Sequence, residues 1–274
     1  MIREGRWQNL ISALQLGSID YATGLRLQEK LVALRKDGRI GDALLLLEHP
    51  PVITLGRNAK SSNVLVSPEL LARRGVEVFE CDRGGDVTFH GPGQLVAYPI
   101  FDLHGFPSET ASRKTLGVID YVRRLEEVLI RTCADFAIPA KRIPGLTGVW
   151  TAESQAQRSN TAEAKIAALG VHISRGVTSH GLALNVNTDL SFFNLIVPCG
   201  ITSKPVTSIQ KELGREIPMQ DVAHSLSRNF GTVFHSQILW LDSLAALLGN
   251  NLGVPMQAPE NMRKLHGDEG PVRA

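Results

Sequence analysis

The feature that most constrains this chain is a glycine-rich stretch over residues 83–100, with the sequence RGGDVTFHGPGQLVAYPI. Glycine has no Cβ, so a segment rich in glycine bends tightly or allows a ligand or another backbone segment to approach closely. Val87 and Phe89 alternate with polar residues as in a β-strand, and a mostly apolar run from Leu95 follows a turn at Gly91. We therefore predict a β-hairpin whose mouth is polar and lined by glycines.

Polar side chains are concentrated in the same stretch, at Arg83, Thr88, His90 and Gln94. Two interpretations of the glycines are open at this point. In the simpler one, the glycines only satisfy the geometry of a turn. In the other, they form a wall against which a ligand binds, and the concentration of polar groups favours this second interpretation.

The composition is that of a globular protein, with 43% hydrophobic and 20% charged residues among 274. A chain of this length buries a large core, and we predict one main domain over residues 1–250 followed by a C-terminal tail over 251–274. The formal net charge of +2, with acids and bases interspersed, gives no reason to expect a nucleic-acid partner. No apolar run approaches the roughly 20 residues of a membrane helix, and the first residues lack the apolar part of a signal peptide. We therefore expect no membrane association and a cytoplasmic location.

Hydrophobic periodicity and turn residues divide the chain into helices and strands. The predicted helices cover residues 18–38 with Ser18 as the N-cap, 67–75, 116–138, 208–213, 219–234 and 241–248. The predicted strands, besides the hairpin, cover residues 43–47, 52–57, 76–80, 147–151, 165–173 and 181–186. Because helices and strands do not alternate strictly, we predict an α+β fold with a mixed, largely antiparallel sheet flanked by helices.

The three cysteines, Cys81, Cys133 and Cys199, are odd in number and have no CxxC spacing, which argues against a disulfide framework and against a zinc site. Cys133 falls on the apolar face of the predicted helix over 116–138, so we expect it in the core. Cys199 stands between a proline and a glycine, which place its thiol on a loop or turn. A buried filler cysteine and a reactive thiol are both open interpretations of Cys199.

Lys165 begins a strand of apolar and small residues, KIAALGV. Taken alone, it is most simply a lysine that protects the edge of a sheet from aggregation. A lysine held against apolar walls can instead lose its proton and act as a base towards a thiol. The second interpretation gains weight only in combination with a nucleophile such as Cys199.

Six segments of the chain, taken in order, resemble those of the lipoyl(octanoyl) transferase family. They are HPPVITLGR at 49–57, RGGDVTFHGPGQ at 83–94, TGVW at 147–150, KIAALG at 165–170, HGLALNV at 180–186 and NLIVPCG at 194–200. The resemblance implies the biotin/lipoate protein ligase-like α+β fold, with residues 1–250 as a single catalytic domain. It also implies transfer of an octanoyl group from octanoyl-acyl carrier protein to a specific lysine of lipoyl domains, in lipoate biosynthesis. The implied acceptors are the lipoyl domains of 2-oxoacid dehydrogenases and the glycine cleavage H protein, and no metal or cofactor is implied.

The resemblance also implies roles for individual residues. Cys199 matches the thiol that accepts the acyl group, and Lys165 matches its partner base. The residues that match substrate-binding positions are Arg83, Gly84, Gly85, Asp86, Val87, Thr88, Phe89, His90, Gly91, Ala168, Leu169, Gly170, His180, Gly181 and Leu182. The chemistry suits these residue types, because thiolate attack on a thioester replaces one thioester by another. The acyl-enzyme that forms also separates binding of the donor from binding of the acceptor in time.

One departure and two rival functions accompany this resemblance. The polar connection over residues 151–164 is longer than is usual in the family, and we interpret it as an enlarged surface loop. An ATP-dependent lipoate-protein ligase is one rival, but the chain has no GxxxxGK[ST] loop and that activity leaves Cys199 without a role. A non-catalytic module that binds an acyl chain or a lipoyl domain is the other, and it has no need of Lys165 and Cys199.

Overall fold

The computed structural model describes residues 9–108, 115–152, 163–198 and 204–249. Eleven strands lie within these ranges: β1 Asn9–Ser18, β2 Asp42–Glu48, β3 Val52–Leu55, β4 Glu77–Glu80, β5 Val87–His90, β6 Gln94–Ile100, β7 Ala140–Ile143, β8 Leu146–Thr151, β9 Lys165–Ser174, β10 Val177–Asn185 and β11 Ser236–Trp240. Most of the predicted surface loop, the predicted nucleophile Cys199 and the predicted tail over 251–274 lie outside the described residues.

Six α-helices accompany the strands in the same ranges: α1 Tyr21–Lys36, α2 Pro68–Arg73, α3 Val118–Asp135, α4 Ile209–Leu213, α5 Met219–Phe234 and α6 Leu244–Gly249. The helix α3 follows the predicted apolar periodicity, and the side chains of Leu125, Leu129 and Cys133 on one face are fully buried. The hydroxyl of Ser67 accepts a hydrogen bond from the backbone N–H of Leu70 and so caps α2, as predicted. None of the helices in the described ranges combines the length and the apolar character needed to cross a membrane.

The larger of the two sheets has eight strands in the order β11-β1-β2-β6-β10-β9-β8-β7. The strand β1 is parallel to both of its neighbours, and all other neighbouring pairs in this sheet are antiparallel. The helices α3 and α5 pack on one face, while α1 packs on the other face against β6 and β10. The prediction of an α+β fold with a mixed, largely antiparallel sheet flanked by helices is therefore confirmed.

The smaller sheet has three strands in the order β4-β3-β5, with β3 parallel to β4 and antiparallel to β5. Its apolar side chains form a core of their own, which includes Ile53, Val87 and Phe89. Because it has its own core, the smaller sheet packs as a separate layer opposite the face of the larger sheet that carries α1.

The predicted hairpin is wrong, because β5 and β6 belong to different sheets. The strand β6 is buried along its whole length and hydrogen bonds to β2 on one side and to β10 on the other. It therefore has no free edge for β5, which pairs with β3 instead. Gly93, with φ of +78°, carries the chain from one sheet to the other, and a Cβ there would lie 2.6 Å from the carbonyl carbon of Asn187.

Three strands of the larger sheet escape prediction from the sequence, and one helix cap is predicted wrongly. Both outermost strands, β7 and β11, are short, and β1 has no turn residues to mark its beginning. Ser18 is the last residue of β1 and does not cap a helix. The N-cap of α1 is Asp20, whose carboxylate accepts a hydrogen bond from the backbone N–H of Thr23 at 2.8 Å.

Candidate active site

A pocket lies between the two sheets, and we refer to it as the inter-sheet cavity; it encloses about 460 Å³ when the space open to solvent is counted. The larger sheet contributes one wall through side chains on β6, β9 and β10. The smaller sheet and the loop before β5 contribute the opposite wall, and α1 contributes Tyr21. The lining residues are Tyr21, Arg83, Gly85, Asp86, Thr88, His90, Val96, Tyr98, Ala168, Leu169, Gly170, His180, Gly181, Leu182 and Ala183.

Glycines allow the backbones around this cavity to approach one another. A Cβ on Gly170 would lie 2.7 Å from the carbonyl oxygen of Gly84, whose own N–H donates to Val171 O at 3.0 Å. A Cβ on Gly181 would lie 2.1 Å from the carbonyl oxygen of Ala97. Any larger residue at Gly170 or Gly181 would push these segments apart, so backbone packing requires glycine at both positions.

The buried Arg83 side chain fastens the loop over residues 83–86 to β3. Its Nε and Nη2 donate to Thr54 Oγ1 at 3.1 and 2.8 Å, and Nη2 also donates to the carbonyl oxygens of Thr54 and Asp86, both at 2.7 Å. Its Nη1 donates to Gly84 O at 3.1 Å. Arg83 therefore fixes the shape of this cavity wall through hydrogen bonds to the protein.

A buried polar chain runs from the cavity wall towards the strand that contains Lys165. His90 Nδ1 lies 2.7 Å from Gln94 Oε1, and Gln94 Nε2 donates to Asn185 Oδ1 at 2.9 Å. Asn185 Nδ2 donates to the carbonyl oxygen of Thr207, whose N–H donates to Lys165 O, both at 2.9 Å. Burial lowers the pKa of His90 to about 3, and the charge of the nearby His49, which follows β2, acts in the same direction. The His90 imidazole is therefore neutral at neutral pH.

Lys165 lines a small second pocket, here called the lysine cavity, which encloses about 280 Å³ when the space open to solvent is counted. Its side chain is only 5% exposed, and its Nζ lies 5.2 Å from the centre of the Trp150 ring. Gly148 makes room for the lysine, because a Cβ there would lie 2.6 Å from Lys165 Cε. Pro198, the residue before the predicted nucleophile, lines the same lysine cavity.

The two cavities adjoin, because Thr88, Ala168 and Ala183 line both of them. A molecule that extends from the lysine cavity into the inter-sheet cavity would therefore follow the direction of β9 and β10. Its reactive end would lie beside Lys165 and Pro198, and its other end would lie between the two sheets. The predicted contact between Lys165 and Cys199 stays a prediction, since Cys199 is outside the described residues.

The remaining cysteines differ in their surroundings. Cys133 is fully buried in α3, as predicted, and burial raises the pKa of its thiol to about 12. Cys81 is half-buried at the end of β4, where its Sγ lies 3.5 Å from Leu55 O. Neither thiol lines the inter-sheet cavity or the lysine cavity.

The cavity wall and the predicted binding residues overlap in part. The predicted residues that line the inter-sheet cavity are Arg83, Gly85, Asp86, Thr88, His90, Ala168, Leu169, Gly170, His180, Gly181 and Leu182. Val87 and Phe89 instead pack in the core of the smaller sheet, and Gly84 contacts β9. Gly91 lies over the Phe89 ring, since a Cβ there would be 2.6 Å from Phe89 Cζ.

Sequence reasoning missed four residues of the wall: Tyr21, Val96, Tyr98 and Ala183. Alternation along β6 places Val96 and Tyr98 on one face of the larger sheet, which is a signal that the sequence does contain. For Tyr21 the sequence holds no comparable signal, because its place depends on where α1 packs.

The chain is similar in sequence to a family of acyl-transferring enzymes. A family model described as "Lipoyl protein ligase A/B catalytic domain" matches residues 20–231. The octanoyltransferase of Koribacter versatilis is 58% identical over 260 residues, which cover 95% of this chain and 98% of the relative. The octanoyltransferase of Acidobacterium capsulatum is 57% identical over 241 residues, which cover 87% of this chain and 96% of the relative.

Two solved structures share the fold at much lower sequence identity. Lipoate-protein ligase A bound with ATP superposes with a TM-score of 0.64 at 14% identity, over 93% of this chain and 91% of the ligase. The bipartite lipoate protein ligase of Thermoplasma acidophilum superposes with a TM-score of 0.63 at 16% identity, over 93% of this chain and 90% of the ligase. These two similarities identify the fold and say nothing of the reaction.

Proposed function

This chain belongs to the octanoyltransferase family, acyltransferases of lipoate biosynthesis, and on that premise we propose a two-step transfer through Cys199. In the first step the octanoyl group passes from octanoyl-acyl carrier protein to the Cys199 thiol. In the second step it passes from Cys199 to the side-chain amine of a lysine in a lipoyl domain. We also propose that residues 1–250 form the single catalytic domain in which both steps take place.

One observation carries this proposal: a largely apolar cavity between the sheets shares three wall residues with a second cavity that Lys165 and Pro198 line together. An octanoyl chain needs an apolar slot, whereas the thioester carbonyl needs polar groups at the end of that slot. The inter-sheet cavity supplies the slot. The lysine cavity, with Cys199 next to Pro198 in the chain, supplies the reactive end.

The chemistry balances at each step. The Cys199 thiolate attacks the carbonyl carbon of the donor thioester, the bond from that carbon to the carrier sulfur breaks, and the carrier thiol leaves. The lysine amine of the acceptor then attacks the new thioester, an amide forms, and the Cys199 thiol is regenerated. Lys165 takes the thiol proton in the first step and passes it to the departing carrier sulfur; in the second step it takes the amine proton and passes it to the Cys199 sulfur.

The acceptor class follows from the same premise. A lipoyl domain presents a lysine on a folded carrier, so the amine enters the lysine cavity from outside while the acyl chain stays between the sheets. We propose the lipoyl domains of 2-oxoacid dehydrogenases and the glycine cleavage H protein as the acceptors.

The proposal is tested by the mass of the intact protein after incubation with octanoyl-acyl carrier protein, without ATP. We expect the mass to rise by one octanoyl group and to return to its starting value when a lipoyl domain is added. A lipoate-protein ligase would need ATP and free lipoate or octanoate before it modified the lipoyl domain. A non-catalytic binding module would acquire no covalent octanoyl group at all.

A narrower passage between the two cavities is expected to slow the transfer. Ala168 lines both cavities, and leucine at this position would occupy space that we assign to the acyl chain. If half of the eight carbons lose their contacts, at about 0.8 kcal/mol per methylene, affinity falls by roughly 3 kcal/mol, or about a hundredfold. We expect Ala168→Leu to be acylated about a hundredfold more slowly than the parent at low donor concentration, as measured by intact mass over time.

The matched control is Ala72→Leu, which adds the same atoms on the exposed surface of α2. It should be acylated at the parental rate. Parental kinetics in a folded Ala168→Leu protein would show that the acyl chain does not pass between the two cavities.

A further inference from the structure

His180 separates the inter-sheet cavity from a second opening on the protein surface. That opening, here called the outer cleft, contains about 1080 Å³ of empty space between α1, the end of β4 and the hairpin of β9 and β10. Gln28, Cys81, Asp82 and His172 are among the residues that line it. In the described part of the chain, His180 is the one residue that lines both spaces. The histidine side chain is therefore a partition between them.

Three contacts hold this partition in place. The backbone N–H of His180 donates to Gln28 Oε1 at 2.6 Å, and its ring packs edge-on against Tyr98 with 6.4 Å between ring centres. Its Nε2 lies 2.7 Å from Asp82 Oδ1. The backbone itself is in the left-handed region, with φ of +55°, which is uncommon for a residue other than glycine. A residue whose backbone is held in such a costly conformation by several contacts is often functional.

Asp82 holds the His180 ring in place through a hydrogen bond, and we refer to this contact as the latch. Its side chain is 60% exposed, so it contributes little to the core, yet its two oxygens contact His180 Nε2 and His172 Nδ1 at 2.7 and 3.2 Å. It directly precedes Arg83, which hydrogen bonds fasten to β3. Burial lowers the pKa of His180, although the hydrogen bond and charge of Asp82 oppose this shift, so the imidazole is neutral at neutral pH. A neutral imidazole with its proton on Nε2 donates to the Asp82 carboxylate.

The partition stands at the end of the cavity that is far from Lys165. On β9, Gly170 follows Lys165 by five positions, which corresponds to about 17 Å at a rise of about 3.4 Å per residue. On β10, Gly181 is paired with Gly170, and His180 is the next residue away from the lysine cavity. An extended octanoyl chain, with bonds of about 1.5 Å, spans roughly 10 Å from its carbonyl carbon. An octanoyl chain therefore reaches this end of the cavity when its carbonyl carbon lies roughly 7 Å along β9 from Lys165.

We propose that His180, latched by Asp82, is the end wall that limits the length of the acyl chain. The inference rests on the proposed function, because it assumes that the acyl chain extends from Cys199 into the inter-sheet cavity. A longer chain must displace the His180 ring and break its hydrogen bond with Asp82. If the latch is removed, the ring can swing towards the outer cleft, and the additional methylenes find room there.

The expected effect is a change in chain-length preference. Each methylene that becomes buried strengthens binding by about fourfold. The two extra methylenes of a decanoyl group should therefore raise the ratio of decanoyl to octanoyl acylation rates by about fifteenfold when the end wall opens. A purely structural role of Asp82 would slow acylation by both donors equally and would leave this ratio unchanged.

The test measures that ratio by intact mass in single turnovers with octanoyl-, decanoyl- and dodecanoyl-acyl carrier protein. His180→Gly removes the wall and also suits the backbone, because glycine readily adopts positive φ. Asp82→Ala removes the latch at an exposed position. We expect both variants to raise the decanoyl-to-octanoyl ratio about fifteenfold relative to the parent, and the dodecanoyl rate to rise further.

Two control variants separate the latch from general effects of mutation. Asp82→Asn retains an oxygen that can accept the hydrogen bond from His180 Nε2, so it should restore the parental ratio. Glu80→Ala removes an exposed carboxylate that also lines the outer cleft, and it should leave the ratio unchanged.

The outcomes also distinguish this inference from the proposed function. If Asp82→Ala and His180→Gly form the octanoyl thioester and keep the parental chain-length ratio, the end wall lies elsewhere and the proposed function stands. If the parent acquires no acyl group from any donor, the proposed function fails and this inference fails with it. If Asp82→Asn changes the ratio as much as Asp82→Ala does, the hydrogen bond is not the latch.

Discussion

Replacement of Cys199 by alanine is expected to abolish formation of the octanoyl-protein adduct. In our proposal the Cys199 thiol is the group of this protein that forms a covalent bond to the acyl group, and loss of a covalent nucleophile costs roughly 10⁴-fold or more in turnover. Intact mass after incubation of Cys199→Ala with octanoyl-acyl carrier protein should therefore equal the starting mass. Transfer of the octanoyl group to a lipoyl domain should fall to background in the same variant.

The other two cysteines provide the controls for this experiment. Cys133 is buried in α3, and Cys81 is half-buried at the end of β4 outside both cavities. Cys81→Ala should retain the adduct, and a Cys133→Ala variant should retain it as long as the helix stays folded. An octanoyl group that still appears on Cys199→Ala would assign the nucleophile to another residue.

Replacement of Lys165 by methionine is expected to slow both half-reactions while the protein stays folded. Methionine keeps much of the apolar stem that lies against Trp150 and beneath Gly148, but it cannot accept a proton. General base catalysis contributes typically 10²–10⁴-fold, so we expect losses of about that size in acylation and in transfer. Rapid-quench measurements of adduct formation and of adduct decay with a lipoyl domain would determine the two rates separately.

Lys204→Met is the matched control, because Lys204 Nζ also lies over the Trp150 ring, at 5.9 Å from its centre. Lys204 forms an ion pair with Glu163 and does not line the lysine cavity. We expect Lys204→Met to react within a few-fold of the parent. Equal rates for Lys165→Met and the parent would mean that a different group removes the protons.

The helical elements and the ordered motifs could be predicted from the sequence because they depend on neighbours along the chain. The apolar positions of α3 recur every three to four residues, and Ser67 caps α2 within a single turn. The segments around residues 83–94 and 165–170 likewise predicted the family, and they contain most of the residues that line the inter-sheet cavity. The family similarity and the α+β fold were both confirmed.

The pairing of strands was decided by the tertiary structure. The alternating residues of β5 and β6 flank a turn, and this local pattern predicts a hairpin. In the structure β6 instead hydrogen bonds to β2 on one edge and to β10 on the other. Those partners are about 50 and 90 residues away along the chain, as in the pairing of Leu45 with Tyr98 and of Ala97 with Leu182. Such long-range pairing depends on burial of the whole sheet, which no local pattern records.

The cavity therefore has a mixed origin. The sequence by itself determined which residues are small, apolar or polar at the motif positions, and those residue types are enough to predict a wall that binds a ligand. That the ligand is an acyl chain is what the resemblance to the family implies. Only the tertiary structure brought Tyr21 and Tyr98 to that wall and placed His180 against Asp82, 98 positions apart. The physical reason is that a cavity is bounded by surfaces from separate elements, and the packing of two sheets around a shared space fixes which surfaces meet.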